Sequence, residues 1–162
     1  MTFVTVGNAR DAFRRLLDAV DQLAGDGLLP TPIVIQSGNN PGFVSPHAVT
    51  RAFMPMEEFE DHVRLARLLI SHAGAGTVLH AMAARKVPVV MPRRARYGEL
   101  VDDHQAELVE YLARAGRVIP AWEPADLPEA VRTALSRASE PSPRPADGLV
   151  RVVSACLEEL LA

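Results

Sequence analysis

The chain has 162 residues, of which 48% are hydrophobic and 23% charged, a balance that suits one globular domain and is too apolar for a disordered segment. A formal net charge of -3 offers no overall attraction to polyanions, which argues against nucleic acid as a partner. The one cysteine, Cys156, leaves no intramolecular disulfide to form and reads as a small core side chain in a reducing compartment.

In chain order, short β-rich runs alternate with helical patterns, which predicts an α/β fold with a Rossmann-like parallel sheet. Strands are expected at residues 3–6, 33–36, 50–53, 68–71, 87–91 and 117–119. Several are apolar on successive residues, as strands buried on both faces should be. Between the first two, Phe13, Leu16, Leu17, Val20 and Leu23 recur at three- and four-residue steps and mark a helix that Gly25 and Gly27 end. A second helix is expected over 57–67, burying Met56, Phe59 and Val63. A third should run from near Gly76 to Lys86, and a fourth should follow Asp103, with Leu108, Val109 and Leu112 inward and Gly116 as its stop. The prolines of residues 140–145 forbid regular helix. The organisation expected is therefore a domain over 1–139, a Pro-rich linker over 140–147 and an amphipathic docking helix over 148–162 that packs on this domain or on another subunit. No basic leader and no run of ~20 apolar residues is present. A cytoplasmic location is expected, with membrane attachment only through a partner.

The segment Leu68-Leu69-Ile70-Ser71-His72-Ala73-Gly74-Ala75-Gly76-Thr77 takes a buried strand straight into glycines and a helix-forming stretch. That places free backbone amides at a helix N-terminus, where the amides and the helix dipole attract phosphate and glycine allows close approach. A tight strand-to-helix connection also needs glycine for steric reasons alone. Leu79 stands where the dinucleotide fingerprint requires its third glycine, and no Gly-Lys-Ser/Thr occurs, which weakens the dehydrogenase and P-loop readings.

Downstream, residues 92–105 should emerge at the same sheet edge, beyond the carboxyl ends of the strands, where open α/β sheets bind ligands. Asp103, His104 and Gln105 combine donors and acceptors suited to sugar hydroxyls, although Asp103 also fits a helix N-cap. The basic group Arg85, Lys86, Arg93, Arg94 and Arg96 reads either as solvated surface or as an anion contact. A metal site built from His72, His80 and Asp103 or His104 is disfavoured, because His72 and His80 do not converge easily.

Taken together, Val4-Thr5-Val6-Gly7, Phe53-x-Pro55-Met56, the 70–77 turn and Pro92-Arg93-x4-Gly98-Glu99-x3-Asp103-His104-Gln105 resemble the family 28 glycosyltransferase C-terminal domain over about residues 3–118. The chain is similar to stand-alone versions of that domain. These are the small catalytic subunit of the two-part transferase that adds the second N-acetylglucosamine to dolichol-linked precursors, and bacterial exopolysaccharide glycosyltransferase subunits.

The resemblance implies the donor-binding half of a GT-B enzyme. Its implied substrate is a UDP-sugar, with no cofactor and no metal, and a membrane-associated acceptor-binding subunit is the implied partner. The chemistry is inverting transfer of a hexose or N-acetylhexosamine to a lipid-linked or polysaccharide acceptor. Residue by residue, it implies a diphosphate at Gly7, Asn8, His72, Gly74, Ala75, Gly76 and Thr77, and a nucleoside at Phe53, Met54, Met56 and His80. The sugar is implied at Arg93, Glu99, Asp103, His104 and Gln105. His80 stands where related transferases often carry a glutamate for the ribose, and Asn8 where stand-alone members commonly have threonine. His72 is a candidate base, with a structural role as its rival, and two-domain relatives commonly supply the base from the acceptor side. A non-catalytic nucleotide-sugar-binding module, a Rossmann-like oxidoreductase and a homodimer remain open at this point.

Overall fold

A computed structural model describes residues 1–138, so the expected linker, docking helix and Cys156 lie outside the described residues. The elements are β1 (Thr2–Thr5), α1 (Arg14–Gly25), β2 (Ile33–Gln36), β3 (Val49–Arg51), α2 (Met56–Leu65) and β4 (Leu68–His72), followed by α3 (Ala75–Ala83), β5 (Val89–Met91), α4 (His104–Arg114), β6 (Ile119–Pro120) and α5 (Leu127–Arg137). Single 3-10 turns at Ala95–Tyr97 and Pro124–Asp126 precede α4 and α5.

The six strands form one parallel sheet in the order β3-β2-β1-β4-β5-β6. β1 and β4 lie in the middle and are buried at every residue, which explains why their sequences are not alternating. On one face Leu16, Leu17 and Val20 of α1 and Leu127 and Val131 of α5 cover Val4, Ile70 and Met91. On the other, Phe59 and Val63 of α2 pack on Phe3 and Leu69, and Val78 and Met82 of α3 with Leu108 and Leu112 of α4 cover Val90. This is the Rossmann-like architecture expected from the alternation of elements.

Several boundaries differ from expectation for local reasons. β3 ends at Arg51 instead of residue 53, and the chain then turns away so that Phe53 is 50% exposed. Met56, expected inside, is the first residue of α2 and is 61% exposed. The periodic face of α2 begins only at Phe59. Phe13 is fully buried as expected but precedes α1; its N–H donates to Asn40 Oδ1 at 2.7 Å. A side chain from the loop after β2 therefore takes up an amide at the start of α1 that no local residue caps.

The sequence reading assigned no element to 127–137, which forms α5 with Leu127, Ala130, Val131 and Ala134 inward. Pro124 and Pro128 sit at helix starts, where their missing N–H groups cost nothing. Leu127 is completely buried against the sheet. Leu127→Ala should therefore destabilise the domain by about 2–5 kcal/mol, read as a lower urea midpoint with an unchanged slope.

Candidate functional site

β1 and β4 are neighbours, but the chain leaves β1 toward β2 on one side and β4 toward β5 on the other. The loops after these two strands therefore part and open a crevice at their carboxyl ends. A cavity of about 340 Å³ lies there, lined by Thr5, Gly7, Asn8, Gln36, Phe53, Met54, Met56, Phe59, His72, Gly74, Gly76, Thr77 and His80. The geometry brings together nearly all of the residues singled out for diphosphate and nucleoside, Ala75 being the one that does not line the cavity. Thr5, Gln36 and Phe59 were not singled out. The signal for the first two was their place as the last residues of β1 and β2, which puts them on the ligand-binding edge.

α3 opens onto this cavity. Its first intrahelical bond is Val78 N–H to the Gly74 carbonyl at 3.1 Å, so the N–H groups of Ala75, Gly76 and Thr77 precede the ladder. Among the described residues no side chain caps them. A Cβ on Gly76 would meet nothing within 4 Å, so this glycine borders open space and does not relieve crowding.

Gly7 and Gly74 serve another purpose. A Cβ on either would collide with the His72 ring, and Gly7 has φ +71°, a conformation that favours glycine. His72 is thus slotted between two bare backbones and is only 8% exposed. Its pKa is lowered to about 4 by burial first and by the Arg93 guanidinium second. The nearby Thr5 backbone favours the cation, but Nδ1 has no hydrogen-bond partner among the described residues. At neutral pH the ring is uncharged, carrying one N–H and one lone pair.

The opposite wall is apolar, made by Phe53, Met54 and Phe59 with the exposed Met56 at the rim. Thr5 Oγ1 donates to Gln36 Oε1 at 2.8 Å and accepts the Gly7 N–H at 3.2 Å, tying the ends of β1 and β2 to the first glycine turn. His80 stands on α3 with its ring edge-on to Phe59.

The five residues singled out for sugar do not line the cavity. Arg93 is 1% exposed. Its Nη2 donates to the Val6 carbonyl at 3.0 Å, and Nη1 to those of Asp11 at 2.8 Å and Glu99 at 3.2 Å. Glu99 is buried and receives both arms of Arg15, Nε to Oε1 at 2.9 Å and Nη2 to Oε2 at 2.8 Å, while Oε2 also accepts the Arg94 N–H. The Gln105 side chain is buried and its Oε1 accepts the Arg93 N–H at 3.1 Å. These three side chains are consumed in fixing the loop after β5. Asp103 occupies the N-cap position of α4, yet its carboxylate accepts the Ala95 N–H at 3.0 Å and caps nothing. His104 is exposed, with Nδ1 paired to Asp102.

The basic group is dispersed: Arg93 is internal, Lys86 Nζ donates to the Ala66 carbonyl at 2.7 Å, and Arg96 pairs with Glu123. Among the described residues no cluster of His, Cys, Asp or Glu has metal-site geometry, and no helix is long and apolar enough to cross a membrane.

Residues 1–151 match the family described as glycosyltransferase family 28 C-terminal domain. Among solved structures, the chain is similar to CalG4, the calicheamicin glycosyltransferase, at 21% identity and a TM-score of 0.57 over 99% of this chain and 39% of that one. It is also similar to the glycosyltransferase of kitacinnamycin, at 18% identity and a TM-score of 0.62 over 99% of this chain and 38% of that one. A third is the C-terminal CMP-Kdo binding domain of WaaA from Acinetobacter baumannii, at 11% identity and a TM-score of 0.54 over 99% of this chain and 89% of that one. The chain thus spans about two fifths of the length of the first two. No curated protein matches it.

The slot around His72 predicts an acid-sensitive fold. Above the unfolded pKa of 6.5 both states carry a neutral ring. As pH falls toward 4, the unfolded ring gains a proton that the folded one refuses, so stability is lost over that window. The full loss is on the order of 3 kcal/mol. Urea midpoints at pH 7, 5.5 and 4.5 should fall more steeply for wild type than for His72→Gln; parallel falls would refute the assignment.

Proposed function

The chain belongs to the glycosyltransferase family 28 C-terminal domain, and on that premise we propose that it is the donor-binding subunit of an inverting glycosyltransferase that uses a UDP-sugar. The observation that carries this reading is the uncapped start of α3 beside a cavity at the strand-order reversal, whose lining includes Gly74, Gly76, Thr77 and an uncharged His72. Phosphate oxygens are the ligand such a corner favours. The apolar wall of Phe53, Met54 and Phe59 suits the flat base of a nucleotide.

In this reading the amides of Ala75, Gly76 and Thr77 do the chemical work on the donor side. When the bond from the anomeric carbon to the diphosphate oxygen breaks, negative charge grows on the leaving diphosphate, and fixed N–H dipoles meet it without reorganising. His72 adds an N–H or a lone pair but makes a poor general base, because a ring with a pKa of about 4 holds a proton weakly at neutral pH. In this reading the acceptor hydroxyl is deprotonated from the acceptor side, as two-domain relatives commonly arrange it. The proposal includes a membrane-associated acceptor-binding subunit, a lipid-linked or polysaccharide acceptor, and work at the cytoplasmic face of the membrane. The transferred unit is a hexose or N-acetylhexosamine. Its contacts come from the loop after β5, where, of the five residues singled out for sugar, His104 and Asp103 are exposed and Arg93, Glu99 and Gln105 hold the loop.

Two measurements test the proposal. Calorimetry should show UDP binding to wild type, reduced at least about tenfold in Gly76→Val with an unchanged circular dichroism spectrum, since the added Cβ points into open space and the side chain narrows the phosphate approach. Radiolabelled UDP-N-acetylglucosamine or UDP-glucose, incubated with the chain and membranes carrying the acceptor subunit, should put label on lipid only when both halves are present. Binding without transfer in every combination assigns the chain instead to non-catalytic nucleotide-sugar modules. Undiminished UDP affinity in folded Gly76→Val sinks the placement of the diphosphate.

A further inference from the structure

Gln36 is the last residue of β2 and only 5% exposed, yet it lines the cavity. It shares a sheet face with Val34, which packs with Met54 on the cluster of Phe3 and Phe59, so its amide is set among the apolar side chains of the wall. Which way that amide points is settled by its neighbour on β1. Thr5 Oγ1 accepts the Gly7 N–H at 3.2 Å, and its single O–H goes to Gln36 Oε1 at 2.8 Å. Oε1 is therefore turned toward β1 and the two Nε2–H groups are turned away from it. Nε2 donates to nothing among the described residues and is not one of their sealed polar atoms. A residue almost wholly buried thus offers this cavity two donors and no acceptor, the kind of single polar group that sets specificity in an apolar wall.

Resting on the nucleotide reading of this cavity, we infer that Gln36 reads the C2 carbonyl oxygen of a pyrimidine base and so favours pyrimidine over purine nucleotides. Position along the sheet edge decides which group it meets. Ser71, Thr5 and Gln36 stand side by side on β4, β1 and β2, which sets Gln36 ~10 Å from the end of β4, where α3 and its amides follow. Phe53 and Met54 come after β3, the next strand outward. A nucleotide with its diphosphate on those amides and its base on that wall crosses β1 and turns toward Gln36 the base edge beside the glycosidic bond. On a pyrimidine that edge carries the C2 carbonyl, an acceptor that stands out from the ring. Adenine has only an in-ring nitrogen there, and guanine adds an amino donor that opposes the amide. The choice made is one of ring class. Uracil and cytosine share the C2 carbonyl, and C4, where they differ, lies beyond the amide.

Calorimetry on the full chain with UDP, 2-thio-UDP, 4-thio-UDP and inorganic pyrophosphate tests this, sulfur being a weak acceptor in place of oxygen. The 2-thio substitution should weaken binding to wild type about three- to tenfold, the worth of one hydrogen bond. Gln36→Met should weaken UDP by the same factor, erase the 2-thio penalty, keep any 4-thio penalty at its wild-type size and leave pyrophosphate unchanged. Gln36→Glu keeps an acceptor for the Thr5 hydroxyl and, ionised at pH 8, offers no donor. It should erase the 2-thio penalty as well, so the comparison stands even where Gln36→Met does not fold. A 2-thio penalty that is missing in wild type or intact in either variant overturns the inference, as does a 4-thio penalty that disappears with Gln36. If wild type binds neither UDP nor pyrophosphate, the nucleotide reading itself falls; if it binds both and shows no 2-thio penalty, this inference falls alone.

Discussion

A cation with almost no access to water sits beneath the carboxyl ends of the central strands, and the loops above it depend on how that cation is satisfied. Leaving a guanidinium unsolvated costs several kcal/mol unless its N–H groups find acceptors. Arg93 finds them in main-chain carbonyls from three places: Val6 after β1, Asp11 before α1 and Glu99 in its own loop. Phe13 adds a ring face 4.7 Å from the guanidinium carbon. Because those acceptors are backbone atoms, the arginine fixes the course of the loop after β1, which borders the crevice, and of its own loop after β5.

Its influence extends to the neighbouring imidazole. Arg93 holds a fixed positive charge near His72, and with burial this keeps the ring neutral. The Glu99 carboxylate, whose charge favours the Arg93 cation, is itself held by Arg15 and by the Arg94 N–H. A neutral imidazole beside uncapped amides makes a corner that is electropositive through dipoles, with its full charges set back from the surface. Such a corner is the kind to which oriented N–H dipoles draw anionic oxygens.

Much of this was legible in the sequence. The apolar runs of β1 and β4, the three- and four-residue spacing of α1 and the Gly74-x-Gly76-Thr77 corner each dictate local geometry on their own. The resemblance to family 28 domains singled out residues for diphosphate and nucleoside of which all but Ala75 line one cavity. What could not be read was the direction in which polar side chains point. Arg93, Glu99 and Gln105 share donor and acceptor chemistry with sugar-contacting residues, yet all three face inward: the partners of Arg93 and Glu99, Val6, Asp11 and Arg15, are some 80–90 residues away in sequence and only folding brings them close, and Gln105 in turn bonds the Arg93 N–H. Met56 was misplaced because apolar character marks a cavity rim as well as a core. α5 was missed because two of its four inward residues are alanines, which give a faint apolar stripe, and its prolines resemble loop punctuation before they resemble a helix start.

The sheet's margins carry a last consequence. β3 is three residues long with two of them exposed, and β6 is two residues long and ends in Pro120, which has no amide to offer a further strand. Among the described residues neither border gives a neighbouring polypeptide a long ladder to extend, which guards these edges against growing sideways into a continuous intermolecular sheet. Recognition at these margins falls instead to side chains on the loops and helices, where it can be selective for one companion.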